Sequence, residues 1–188
     1  VKAALLFPFD TQPQNTQLII TRTRATGLDM RSLARFMSRA RRQIGVKGEV
    51  NVLLTSSAEM RRLNLQYRKK NAPTDVLSFP APESNGLAGD IAISLDIARR
   101  SSEERNETWE DEVRILILHG LLHLAGYDHE KDNGVMERKE QRLRTSLGLS
   151  SSLIARNQHF KPGKRMSKKP QRRQRPSPPK TKSKAGQL

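Results

Sequence analysis

Three of the four histidines in this 188-residue chain fall within the stretch His119-Gly-Leu-Leu-His123-Leu-Ala-Gly126-Tyr-Asp-His129. Imidazole is a neutral nitrogen donor for divalent metals. His119 and His123 are four residues apart, so on a helix they lie on one face, a turn apart. Gly126 offers a left-handed stop, after which the chain can bring His129 back toward the first two rings. Three neutral ligands leave zinc its full charge and a fourth position for water, whose pKa then falls toward neutrality. Without a metal, three buried imidazoles would be costly unless each were hydrogen-bonded. The cluster therefore reads as a site for one Zn2+ ion held by His119, His123 and His129. Residue type alone leaves nickel, copper and iron open.

The spacing His-x3-His-x2-Gly-x2-His is also that of metzincin proteases, where a glutamate follows the first histidine as general base. Here that position is Gly120, which has no group to accept a proton. The nearest local carboxylate is Asp128. Its expected role is to orient a histidine rather than to act as base.

The elements around the cluster follow from periodicity and caps. Val113 to Leu124 is apolar nearly all round, so the helix carrying the histidine pair, opened by Thr108 as cap, is expected inside the domain. Leu18-Ile-Ile-Thr-Arg-Thr has strand character. Asp29 can cap a helix through Leu33, Phe36, Met37, Ala40 and Ile44, ended by Gly45. Its opposite face carries Arg31, Arg35, Arg39 and Arg42, either a solvated face or a phosphate-tracking surface. Glu49 to Thr55 reads as a strand. Ser56-Ser-Ala-Glu59 has capping-box spacing for a helix holding Met60, Leu63, Leu65 and Tyr67, which runs toward Arg68 and is broken by Asn71-Ala-Pro73. Asp75 to Phe79, ended by Pro80, and Asp90 to Ser94 read as strands of an antiparallel hairpin with a long loop. Asp96 to Arg105 is a polar helix. Asn133-Gly134 marks a turn, and Val135 to Leu147 is an amphipathic helix ended by Gly148.

Composition bounds the class. Hydrophobic residues make up 35% and the mean hydropathy is −0.71, so part of the chain is expected not to pack. With no cysteine there are no disulfides or thiolate sites, which suits a cytoplasmic protein. No apolar run approaches the roughly 18 residues of a membrane span, and Val1 to Phe9 does not read as a secretory signal. The net charge is +16, yet eleven Lys and Arg and no acid lie from Lys161 onward, so residues 1–160 carry 24 bases against 19 acids. That balance favours a polyanionic partner, nucleic acid before membrane. Aromatics at 4% exclude base stacking as the main grip, leaving backbone contacts. Three segments are expected: an irregular 1–16, a domain over 17–155, and a disordered Lys/Arg/Pro-rich tail over 156–188. The tail reads equally as a solubilising segment or a charge-driven RNA binder. His159 reads as a surface residue.

The histidine stretch resembles the signature of the YbeY family of bacterial endoribonucleases and rRNA maturation factors. Leu63-Asn64-Leu-Gln-Tyr67-Arg68 followed by Thr74-Asp-Val-Leu-Ser-Phe-Pro80 is similar to its second block, and Gly89-Asp-Ile-Ala-Ile-Ser94 to its third. The likeness covers roughly residues 18–150, in the same block order. It implies an α+β fold, a small mixed sheet packed with several helices and a metal site in a cleft. It implies single-strand-specific RNA cleavage in rRNA processing, including the 16S 3′ end, and in ribosome quality control. It implies zinc on His119, His123 and His129, and the family's important arginine at Arg68; position alone would make Arg68 a surface residue. The implied partners are single-stranded rRNA, the small ribosomal subunit and assembly factors, with no DNA and no membrane. On this reading Arg68 stabilises charge at the scissile phosphate, and Lys69 and Lys70 hold backbone nearby. Two further classes stay open: a ribosome-assembly factor with a structural zinc, and a metalloprotease, which Gly120 disfavours.

Overall fold

A computed structural model describes residues 18–82 and 86–149. The expectations for 1–16, for the tail and for His159 lie outside the described residues. Among the described residues, four strands and five helices follow one another as β1 (Leu18–Thr21), α1 (Met30–Ile44), β2 (Glu49–Thr55), α2 (Ser57–Arg68), β3 (Val76–Pro80), β4 (Leu87–Ser94), α3 (Leu95–Arg105), α4 (Trp109–Leu124) and α5 (Val135–Leu147). The sheet order is β1-β2-β4-β3. β1 and β4 run parallel to β2, whereas β3 pairs antiparallel to β4. This is the expected α+β fold with a mixed sheet.

Alternation along the strands sorts two cores onto the two faces of the sheet. Val50, Val52, Leu54, Ile91 and Ile93 face one way and meet α1, α4 and α5. Leu53, Ala92 and Leu77 face the other way and meet Met60 and Leu63 of α2. A helix apolar on every side must be covered on every side, and α4 is: its residues Val113 and Ile115 to Leu122 are all buried. Its neighbours are α1, α3, α5, β3 and β4.

The expected caps form. Asp29 accepts from Arg31 and Ser32 N–H, Ser56 from Glu59 N–H and Thr108 from Asp111 N–H. Three details differ from the sequence reading. Leu65 is 47% exposed, while Asn64 takes the inward place beside Met60 and Leu63. Positions 60, 63, 64 and 67 share one helical face, and 65 does not. β4 starts at Leu87 rather than Asp90, so the hairpin connection is shorter. β3 starts at Val76 rather than Asp75, and Pro80 ends it as its last paired residue, opposite Gly89.

Candidate metal centre

His119 and His123 project from the last two turns of α4. Two features of the following chain return His129 to them. Gly126 adopts φ 88°, a conformation that suits glycine, and its N–H bonds to the His123 carbonyl. Asp128 then holds the next turn: its carboxylate accepts from Glu130 N–H at 3.1 Å and pairs with Lys131 at 3.0 Å. The Lys131 ammonium is the main cause that keeps the Asp128 carboxyl below its usual range. The three rings stand 4.8 to 5.3 Å apart, centroid to centroid. One nitrogen from each lies within 4.8 Å of the others. His119 is buried, His123 half-buried and His129 exposed, so the cluster opens to solvent on the His129 side.

The hydrogen bonds on the far sides of the rings test whether a cation fits. His123 Nδ1 lies 3.0 Å from the Tyr127 carbonyl oxygen, which can only accept. Nδ1 therefore carries the proton, and Nε2 presents a lone pair. His119 Nδ1 lies 3.0 Å from the buried Glu140 carboxylate, which favours the same tautomer. The two Nε2 atoms then face each other across 3.1 Å. A proton or a cation between them relieves the repulsion of the lone pairs. The separation is close to the roughly 3.3 Å edge of a tetrahedron built on zinc–nitrogen bonds of 2.0–2.1 Å. The donor set fits a divalent ion held by neutral imidazoles. Burial, together with the neighbouring His119 and His129, pushes His123 down to about 4, so it is neutral at ordinary pH.

The carboxylate behind a histidine is thus Glu140, not the expected Asp128. Glu140 is fully buried and also accepts from the buried Arg144 at 3.4 Å. Sequence distance hid it: it sits on α5, which Asp132 anchors by accepting from Gly134 and Met136 N–H. The only signal in the sequence is a charged residue on the inward stripe of α5, with Met136 and Leu143.

Arg68 ends α2 beside this cluster. It lines a cavity of about 190 Å³ together with His119, His123, His129, Thr74, Asp75 and Ser78. It also lines an adjoining cleft of about 250 Å³ with His123, Tyr127 and Asp128. Arg68 is exposed, and no side chain among the described residues pairs with it. Its place is held from behind. The Asn64 side-chain amide donates to Ala72 O at 2.8 Å, and the Asn64 carbonyl accepts from Lys69 and Lys70 N–H. Lys69 and Lys70 do not line either cavity. The Lys69 ammonium instead donates to the Gln66 carbonyl at the helix end.

Gly120 has a packing reason. A Cβ built there would lie 2.9 Å from both Cγ2 and Cδ1 of Ile91, inside the core. A side chain at 120 would point at the sheet rather than into the cleft.

Residues 14–148 match the family model described as Endoribonuclease YbeY. The chain belongs to the YbeY family. Curated YbeY relatives align over most of its length. An Endoribonuclease YbeY of Koribacter versatilis is 51% identical over 155 residues, 82% of this chain and all of the relative. That of Solibacter usitatus is 44% identical over 148 residues, 79% of this chain and 99% of the relative. The solution structure of a Thermotoga maritima protein is similar to this YbeY-family fold, with TM-score 0.53 and 30% identity over 79% of this chain and 99% of that one. Among the described residues no helix is long and apolar enough to cross a membrane.

Proposed function

We propose that the chain is a metal-dependent endoribonuclease that cuts single-stranded RNA. One observation carries the reading: Arg68, a guanidinium with no side-chain partner among the described residues, shares a small cavity with three convergent imidazoles. A planar cation with five donors suits a phosphate, and the cavity is too small for a folded partner. The family supports RNA as the substrate, since the curated relatives are named endoribonucleases.

The residues take these roles. His119, His123 and His129 hold one Zn2+ ion, and Glu140 and the Tyr127 carbonyl fix the tautomers of the first two. A bound divalent ion supplies a Lewis acid for a phosphoryl oxygen and lowers the pKa of water. Arg68 binds the scissile phosphate and stabilises the charge that builds on it during in-line attack. The attacking group is either water or the ribose 2′-hydroxyl. The working unit is the 17–155 domain, acting in the cytoplasm on rRNA, including the 16S 3′ end, and in ribosome quality control. The small subunit and its assembly factors are its expected partners. A protease reading needs a base after the first histidine, and the direction of the 120 Cβ leaves no room for one.

The test offers the zinc-loaded chain a single-stranded RNA, the same RNA annealed into a duplex, and an unstructured protein. Cleavage of the single strand alone is expected. Digestion of the protein with the RNA left whole would sink the proposal. A single 2′-deoxy substitution at the cut site then separates the two attacks, since it abolishes only the one by the 2′-hydroxyl.

A further inference from the structure

Helix α1 carries five arginines and no acid along its 15 residues. Arg31, Arg35, Arg39 and Arg42 are all exposed and fall within an arc of about 80° on one face. Like charges four residues apart weaken a helix, and surface helices ordinarily offset them with acids. The other helices here do so: Arg62 pairs with Glu59, Arg114 with Glu110 and Asp111, and Arg105 with Glu112. On α1 the best pair is Arg35 with Asp29 at 3.9 Å, both largely in solvent. Arg31 shares the same Asp29 only through a long-range attraction, and Arg39 and Arg42 have no side-chain partner among the described residues. Steps of four residues advance about 6 Å along a helix, a repeat comparable to that of successive phosphates on a strand.

The C-terminal end of the helix that carries the row is connected to the histidine cleft. From the last turn of α1, the Arg41 guanidinium donates to Gly48 O at 2.7 Å and fixes the turn into β2. That turn is one wall of a groove of about 720 Å³, lined by Val46, Lys47, Pro80, Ala88, Leu124 and Tyr127 among others. Pro80 and Tyr127 also line the cleft that holds Arg68 and His123. The groove thus runs from the histidine cleft to the C-terminal end of α1, and exposed Lys47 adds a cation on the way.

We infer that RNA leaving the histidine cleft passes through this groove and that the arginine row of α1 holds the phosphates of the flanking strand. The inference rests on the ribonuclease reading for the origin of the strand. The row gives no base contacts, so it grips any sequence and its grip falls with salt.

The test measures binding, not cleavage. The full zinc-loaded chain is titrated with a single-stranded 2′-O-methyl RNA of about 30 nucleotides, long enough to cover both sites. The variant Arg31→Gln/Arg39→Gln/Arg42→Gln is compared with Lys180→Gln/Lys182→Gln/Lys184→Gln, which removes the same charge from the C-terminal region. A charge-keeping variant with lysine at 31, 39 and 42 guards against misfolding. The α1 glutamine variant should lose about tenfold or more in affinity at 0.1 M salt, with the salt slope falling by about 2. The Lys180/182/184 variant should lose much less, and the lysine variant should keep most of the affinity. Equal losses in the two glutamine variants, or no loss in either, would overturn the inference. A parent chain that binds in this way but cuts no RNA would remove the ribonuclease reading and leave the surface. RNA cleavage with matched affinities would do the reverse.

Discussion

The Glu140 carboxylate on α5 lies 3.0 Å from Nδ1 of His119 on α4, and both side chains are almost wholly out of solvent. The contact holds the ring by the nitrogen that the cluster does not use. It also ties α5 to the centre of the fold, and through Arg144 it offsets a second buried charge.

Glu140→Gln keeps the shape of the side chain but removes its charge. Zinc affinity, measured by competition with a chelating dye, should fall about 10- to 100-fold. Asp128→Asn should change it far less, because that carboxylate faces Lys131 and a backbone N–H. Comparable losses in the two variants would mean that Asp128 orients a histidine after all.

Gly120→Ala should cost about 1–3 kcal/mol in urea denaturation, because the new methyl meets Ile91 in a filled core. In an Ile91→Ala background the same substitution should cost little or nothing. Two costs that simply add would show that the contact with Ile91 is not the reason for glycine at this position.

Acid should destabilise the zinc-free protein through His123. Its pKa falls from 6.5 to about 4 on folding, so between those values the unfolded chain binds more protons. The contribution is fully present above about 6.5 and is lost as pH falls toward about 4. His123→Gln should flatten the fall in urea midpoint over that window. An unchanged slope would place the titration elsewhere.

Asn64→Ala removes the donor that holds Ala72 O and should cost about 1–3 kcal/mol. If Asn64 also positions Arg68, kcat for RNA should fall under conditions where the variant is fully folded. Full kcat in the folded variant would confine Asn64 to stability.

Much of this molecule was legible from local chemistry. Caps at Asp29, Ser56 and Thr108 each place a helix start, and α4 shows its burial in an unbroken apolar run. The i, i+4 pair with Gly126 placed the three histidines together, because one helix and one turn decide that geometry. Glu140 was not legible. It reaches His119 across 21 residues, and only the packing of α5 against α4 brings them together. The reason for Gly120 was hidden likewise, since Ile91 belongs to a strand whose distance from α4 no local pattern states. Arg68 lay between these cases: the end of its helix was readable and the family resemblance singled it out, but only the folding of the chain brings the end of α2 to the histidines.

The central claim is that Arg68 and the histidine cluster act together on a phosphodiester. The direct measurement is single-turnover cleavage of a single-stranded RNA spanning the 16S 3′ end by the zinc-loaded chain, Arg68→Ala and His123→Ala, purified identically. The account predicts that each variant loses at least about 100-fold. Equal cleavage by all three would contradict it and point to a contaminating nuclease.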